Sequence, residues 1–215
     1  MVRNPERRVA LVDAAIEVLA REGARGLTFR AVDTEAGVPA GTSSNYFANR
    51  DDLFNQAGRH IHQRLGPDPG ALAEAMKAPP SRELVGALMR DVMDRISRDR
   101  AGYVALMELR LEATRRPELR DALTRTIRED LEGNVRFHLD AGLPGDRTTV
   151  LVLYFAMLGL IVEHLTLPGV LTMEPAGAPD PSDAGDPPLP PGTPEAPGSL
   201  DALMESIVTR IVPTS

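Results

Sequence analysis

The densest run of polar, chemically able residues lies between Leu27 and Phe54, in LTFRAVDTEAGVPAGTSSNYFANRDDLF. Thr28 is a good helix cap, and Ala31, Val32 and Ala36 suit close packing. Gly37 supplies a tight turn, and Pro39 presets a second short helix carrying Thr42, Ser43, Ser44, Asn45 and Tyr46. Two short helices joined by a glycine turn make a helix-turn-helix, whose second helix fits the major groove. Small hydroxyls and an amide can reach base edges or phosphates without filling that groove. Arg30 and Arg50 flank this helix, on the side expected to face a sugar-phosphate backbone. As alternatives, either arginine could serve only in a surface ion pair, and Tyr46 could serve only in packing.

Other candidates are sparser. Met89, Met93, Met107 and Met157 could line a ligand cavity, because thioethers adapt to irregular shapes, or could simply fill the core. Arg110 extends the Tyr103–Met107 stripe and either meets an anionic ligand or pairs with an internal acid such as Glu163. His60, His62, His138 and His164 lack metal-ligand spacing, and there is no cysteine, so neither a metal site nor a cofactor is expected. No phosphate-cradling glycine loop, nucleophile elbow or kinase signature is present, and pairs such as Glu129-Asp130 look like solvated helix faces. The chain is not expected to be an enzyme.

The elements that must position these residues read as helices throughout. Val12, Ala15, Ile16 and Leu19 form an apolar stripe closed by Gly23, and Asn49 can cap a helix opening Arg50-Asp51-Asp52. Leu84, Leu88 and Val92 mark a helix after Pro79-Pro80, and Tyr103 to Thr114 marks the next. Pro117 starts a long helix to about Ala141, ended by Gly142. Thr148 to Leu167 is apolar on every side, and a further helix runs from a Ser199 cap to Ile211. Between them, residues 175–198 hold nine Pro, four Gly and four acids with no Lys or Arg, which predicts an extended acidic loop. The expected fold is all-α, with a helix-turn-helix domain over 6–64 and a larger helical domain over 65–215.

At 215 residues the chain is long enough for one large or two small domains. Its net charge of −7 argues against nucleic acid only on average. Residues 1–60 are neutral, with eight arginines against eight acids, so the whole excess lies beyond them. A neutral arginine-bearing unit on an acidic body can still bind DNA through one face. The longest apolar run, Val150 to Val162, is shorter than the ~20 residues a membrane span needs, and the charged start lacks the form of a secretory signal. A cytoplasmic protein without a membrane partner is expected.

The ordered segments AAIEVLAREG, LTFRAV, EAGVPAGTSSNYF and NRDDLF resemble the N-terminal domain of TetR-type transcriptional regulators over about residues 6–64. The acidic helical remainder is similar to that family's ligand-binding and dimerisation domain, and ELRLEATRRPELR looks like a branch common among such regulators. The resemblance implies a repressor of a pseudo-palindromic operator. It implies a phosphate contact at Thr28, a base contact at Arg30, a recognition helix over Thr42–Tyr46 with Tyr46 on phosphate, and a phosphate contact at Arg50. The chain departs from the family pattern at Ser43 and Ser44, where an apolar residue and a tyrosine are usual. The alternative is a helical metabolite-binding or interaction protein that does not bind an operator.

Two further expectations concern the body. A mostly hydrophobic organic effector would sit among helices bearing Met89, Met93, Met107, Arg110, Tyr154 and Met157, with the helix from Arg50 to Leu65 as the lever. A homodimer would pair the 148–167 and 199–211 helices of two copies through Leu151, Phe155, Leu158, Ile161, Val162, Leu203 and Ile207; alternatively the final helix folds back and covers the apolar one within a single chain.

Overall fold

The structure is a computed structural model and describes residues 4–171 and 199–214; the predicted 175–198 loop lies outside the described residues. Every regular element among them is helical, in the order α1 (Pro5–Gly26), α2 (Phe29–Glu35), α3 (Thr42–Tyr46), α4 (Arg50–Arg64) and α5 (Pro69–Ala75). There follow α6 (Arg82–Arg98), α7 (Arg100–Ala113), α8 (Pro117–Asp140), α9 (Arg147–Thr166) and α10 (Leu200–Ile211), with a 3-10 turn at Pro168–Val170. The all-α expectation holds.

The helix starts are set by side-chain caps of the expected kind. Thr28 accepts from the Ala31 amide at 3.1 Å, Asn49 from Asp52 at 2.8 Å and Ser199 from Ala202 at 3.1 Å. Asp146, one residue before α9, forms a capping box with Thr149. Gly23 breaks α1 with a left-handed φ of 69°, and a Cβ there would lie 2.9 Å from the Glu108 carboxylate. Only α5 had no sequence signal. It is seven residues long and buries nothing, so it carries no apolar stripe to read.

The described helices form two compact units. The first comprises the described parts of Met1–Glu74 with Asp91–Asn134; the second comprises those of Ala75–Arg90 with Val135–Ser215. In the first, α1 packs on α2, α4 and α7 around Leu11, Ile16, Leu19, Leu27, Phe54 and Leu109, all inaccessible to solvent. In the second, α9 packs on α10.

By length and composition alone, α9 could cross a membrane. In this structure one side of α9, with Val150, Leu153, Met157, Leu160, Ile161 and Leu165, is buried. Its opposite side is open, with Val152 at 47% and Phe155 at 62% exposure.

Candidate nucleic-acid interface

The turn between α2 and α3 is organised by a buried acid. Asp33, 2% exposed, accepts from the Gly41 amide at 2.7 Å, the Ser43 amide at 2.7 Å and the Ser43 hydroxyl at 2.5 Å. The residue before α3 is glycine, with φ 87° and no side chain to cap with, so the carboxylate of the neighbouring helix does that work. A negative charge also suits the amide end of a helix. Phe47 is buried just after α3 and stacks on Phe29 at 6.4 Å, fixing the other end.

Three side chains on α3 bond back to the turn. Thr42 Oγ1 donates to the Pro39 carbonyl at 2.6 Å, Ser44 Oγ to Gly41 at 2.8 Å, and Asn45 Nδ2 to Gly41 at 3.1 Å. Ser44 and Asn45 are exposed, while Thr42 and Tyr46 are half-buried. Thr28 and Arg30 are exposed at the start of α2, and the Arg30 side chain makes no hydrogen bond or ion pair among the described residues.

Two predicted contacts are corrected. Ser43 is completely buried and serves Asp33, so it is unavailable to a groove. Arg50 turns inward: its guanidinium donates to the Ala24 carbonyl and lies 5.1 Å over the Phe54 ring, joining α4 to the end of α1. In this structure the half-buried Arg50 guanidinium is committed within the unit.

Two residues were missed. Asp33 was passed over between the packing residues Val32 and Ala36, yet an acid on a helix's packing face ten residues before a serine at a normally apolar position was a signal. The other is Arg8. Its guanidinium lies 5.9 Å over Tyr46 and 5.8 Å over Phe47, and donates to Gln56 at 2.7 Å. Gln56 in turn donates to Asp52 at 2.8 Å, and Asp52 accepts from the Ala48 amide at 3.0 Å. Burial acts to raise the Asp52 pKa, but the bonds from Gln56 and Ala48 and the charges of Arg8 and Arg59 outweigh it, and the net direction is down.

Ion pairs hold both ends of α4 in the first unit. Near its start, Asp51 pairs with Arg116 at 2.7 Å; Arg116 also pairs with Glu112 at 2.6 Å and lies 5.2 Å over Phe54. The bond from Arg116 keeps the Glu112 carboxyl below its ordinary range despite burial. Near its end, Arg64 bonds both oxygens of Asp99, at 2.6 and 2.9 Å, and reaches Asp13 at 3.2 Å. His62 Nδ1 lies 2.8 Å from Asp130, while burial, with the charge of Arg110, lowers its pKa against the pull of that acid.

The predicted effector residues divide between the units. Met93, buried, and Met107 and Arg110, half-buried, are in the first; Met89 and Tyr154, half-buried, and Met157, buried, are in the second. Arg110 lies close enough to His62 to disfavour its charged form. Of the predicted dimer residues, Phe155 is exposed and Leu151, Leu158, Val162, Leu203 and Ile207 are half-buried. Ile161 is corrected: at 4% exposure it is a core residue and cannot meet a partner. Among the described residues no cluster of acids and histidines could hold a metal ion.

The model of the bacterial regulatory proteins of the tetR family matches residues 11–57, across the end-capped α2–α3 turn. The tetracyclin repressor-like C-terminal domain matches residues 80–185. The chain belongs to the TetR family. It is 35% identical over 79 residues to the HTH-type transcriptional regulator BetI of Brucella suis biovar 1, covering 37% of this chain and 40% of BetI. The chain thus spans well under half the length of that curated relative. It is 28% identical over 153 residues to the nicotine-responsive transcriptional repressor HdnoR of Paenarthrobacter nicotinovorans, covering 69% of this chain and 75% of HdnoR. The multidrug binding protein EbrR, solved with imidazole, superposes with a TM-score of 0.64 at 28% identity, over 99% of this chain and 93% of EbrR.

Proposed function

We propose that this TetR-family chain is a cytoplasmic, ligand-responsive repressor that binds a pseudo-palindromic operator as a homodimer. The observation that carries the DNA part is the α2–α3 turn: a buried carboxylate fixes the start of a short helix whose remaining polar side chains face outward. Such a helix can enter a major groove without a backbone clash. Thr28, Arg30, Thr42, Ser44, Asn45 and Tyr46 are the proposed contacts. The names of HdnoR, a repressor, and BetI, a transcriptional regulator, support this reading.

The DNA-binding function is assigned to residues 6–64, and effector binding and dimerisation to residues 65–215. The open side of α9, with Phe155, Val152, Leu151, Leu158 and Val162, and the half-buried Leu203 and Ile207 of α10 supply the pairing surface. Burying a large apolar side chain is worth ~1.5–3 kcal/mol, so these residues favour association of two copies. For the effector, HdnoR is nicotine-responsive and EbrR binds multiple drugs, which points to an organic molecule with aromatic character. Met107 and Arg110, the latter near His62, are the contacts proposed for it in the first unit.

The deciding experiment is duplex binding across a salt series, with sequences drawn from a random pool. Selection of a two-fold-related site by a species of twice the chain mass is expected. Binding that tracks charge alone, with no sequence enriched, would remove the operator.

A further inference from the structure

The hydrogen bonds of α3 determine what it can read, given that it enters the groove as proposed above. Each hydroxyl has one hydrogen. A carbonyl has none to give, so a hydroxyl in contact with a carbonyl must be the donor. Thr42 commits its hydrogen to Pro39 and Ser44 commits its own to Gly41. What both residues turn outward is lone pairs. Phosphate oxygens, guanine O6 and N7, and thymine O4 are acceptors too, and cannot bond to them. The groove-facing donors are the exocyclic amino groups, adenine N6 and cytosine N4.

Asn45 is oriented by the same rule, since the Gly41 carbonyl can take only its NH2 side. One N–H and the Oδ1 remain. That donor and acceptor match adenine N7 and N6, not the two acceptors of guanine. The helix, Thr-Ser-Ser-Asn-Tyr, carries no arginine or lysine that could take guanine instead. Thr28 is the contrast. Its Oγ1 accepts from the Ala31 amide, which leaves its hydrogen free for an acceptor such as phosphate.

We infer that α3 is a reader of exocyclic amino groups: adenine through Asn45, and adenine or cytosine through Thr42 and Ser44. Thr28, by its opposite polarity, belongs to the backbone. To act as donors the hydroxyls would have to give up their bonds to the Pro39 and Gly41 carbonyls.

The test uses the whole chain and the duplex it selects from a random pool. Repeating the selection with Thr42→Val, Ser44→Ala and Asn45→Ala shows which base positions each residue governs. At those positions adenine is replaced by purine or cytosine by 2-pyrimidinone, each lacking only the amino group. The expected result is about tenfold weaker binding by the native chain, and no further loss with the variant that lacks the matching acceptor. Undiminished binding of the amino-free duplexes by the native chain would overturn the inference while leaving operator binding intact. Failure to enrich any sequence would instead overturn operator binding, and the inference with it.

Discussion

The five residues of α3 and the twenty of α9 both present an outward side to solvent, by opposite means. On α3, three of the outward polar groups are already bonded to the preceding turn, and the start of the helix is tied to a buried carboxylate. On α9 the middle of the outward side is Val152, Phe155 and Gly159, which carry no polar side chain, and the exposed polar residues Arg147, Thr148 and Thr166 sit only at the helix ends. A surface of directed lone pairs is suited to discriminating among partners. An apolar surface can gain only by being covered, and a second copy of itself is a sufficient cover. The difference predicts that the two can be damaged separately.

The largest effect is expected from Asp33→Ala. It strands the Ser43 amide and hydroxyl in the interior, at ~1–3 kcal/mol each, and frees the Gly41 amide nearer the surface, for a loss of about 4 kcal/mol from the first unit. Urea unfolding should show it, duplex binding should vanish, and light scattering on the folded fraction should still report the native mass. Loss of that mass would mean the two surfaces are not independent.

Next comes Phe155→Glu. Each copy forgoes about 2 kcal/mol of burial and would bring a charge into the pair. Light scattering at micromolar concentration should fall towards the 23.2 kDa of one chain, with the helical content unchanged. A mass that does not move would place the pairing surface elsewhere.

The two surfaces also differed in how far they could be read beforehand. Helix starts were legible because Thr28, Asn49 and Ser199 act through neighbours three residues away. The all-round apolarity of α9 was equally plain, but which side would be open depends on α10 and the rest of the fold. Ile161 and Phe155 therefore looked equivalent, although one is core and the other is bare. Around the α2–α3 turn, residue type was misleading. Arg50 looked like a phosphate contact until the Ala24 carbonyl and Phe54 ring, 26 and four positions away, claimed it. Ser43 went inward because Asp33 does, a pairing across ten residues whose one trace in the sequence is an acid on the packing face of α2.

A smaller effect sharpens the same contrast within the DNA end. Arg50→Ala should cost about 1–2 kcal/mol of stability, from the lost carbonyl bond and ring contact, and leave the salt dependence of duplex binding unchanged. Arg30→Ala should do the reverse, flattening the salt slope by roughly one unit with little change in melting. If Arg50→Ala alters the slope as Arg30→Ala does, the inward guanidinium is not its DNA-bound position.

The smallest effect separates the ends by pH. His62 has its pKa lowered from 6.5, chiefly by burial and further by Arg110, with Asp130 opposing. The folded chain therefore takes up a proton less readily than the unfolded one. The contribution is fully present above 6.5 and is lost as pH falls from 6.5 towards the lower folded value. With Nδ1 2.8 Å from the Asp130 carboxyl, the neutral ring donates from that nitrogen, and a proton added at acid pH must go to the buried Nε2, which has no hydrogen-bond partner among the described residues. Melting of the first unit should accordingly soften between pH 7 and pH 5.5, by under about 1 kcal/mol, and His62→Gln should flatten that dependence. The Glu112–Arg116 pair does not interfere in this window, because a carboxyl held below 4.5 gives up its share only at lower pH. Val152, Phe155 and Gly159 themselves are not ionisable, so pairing centred on them predicts a mass that holds across the same range. Dissociation in step with the softening would show that the charge on α4 reaches the pairing surface after all.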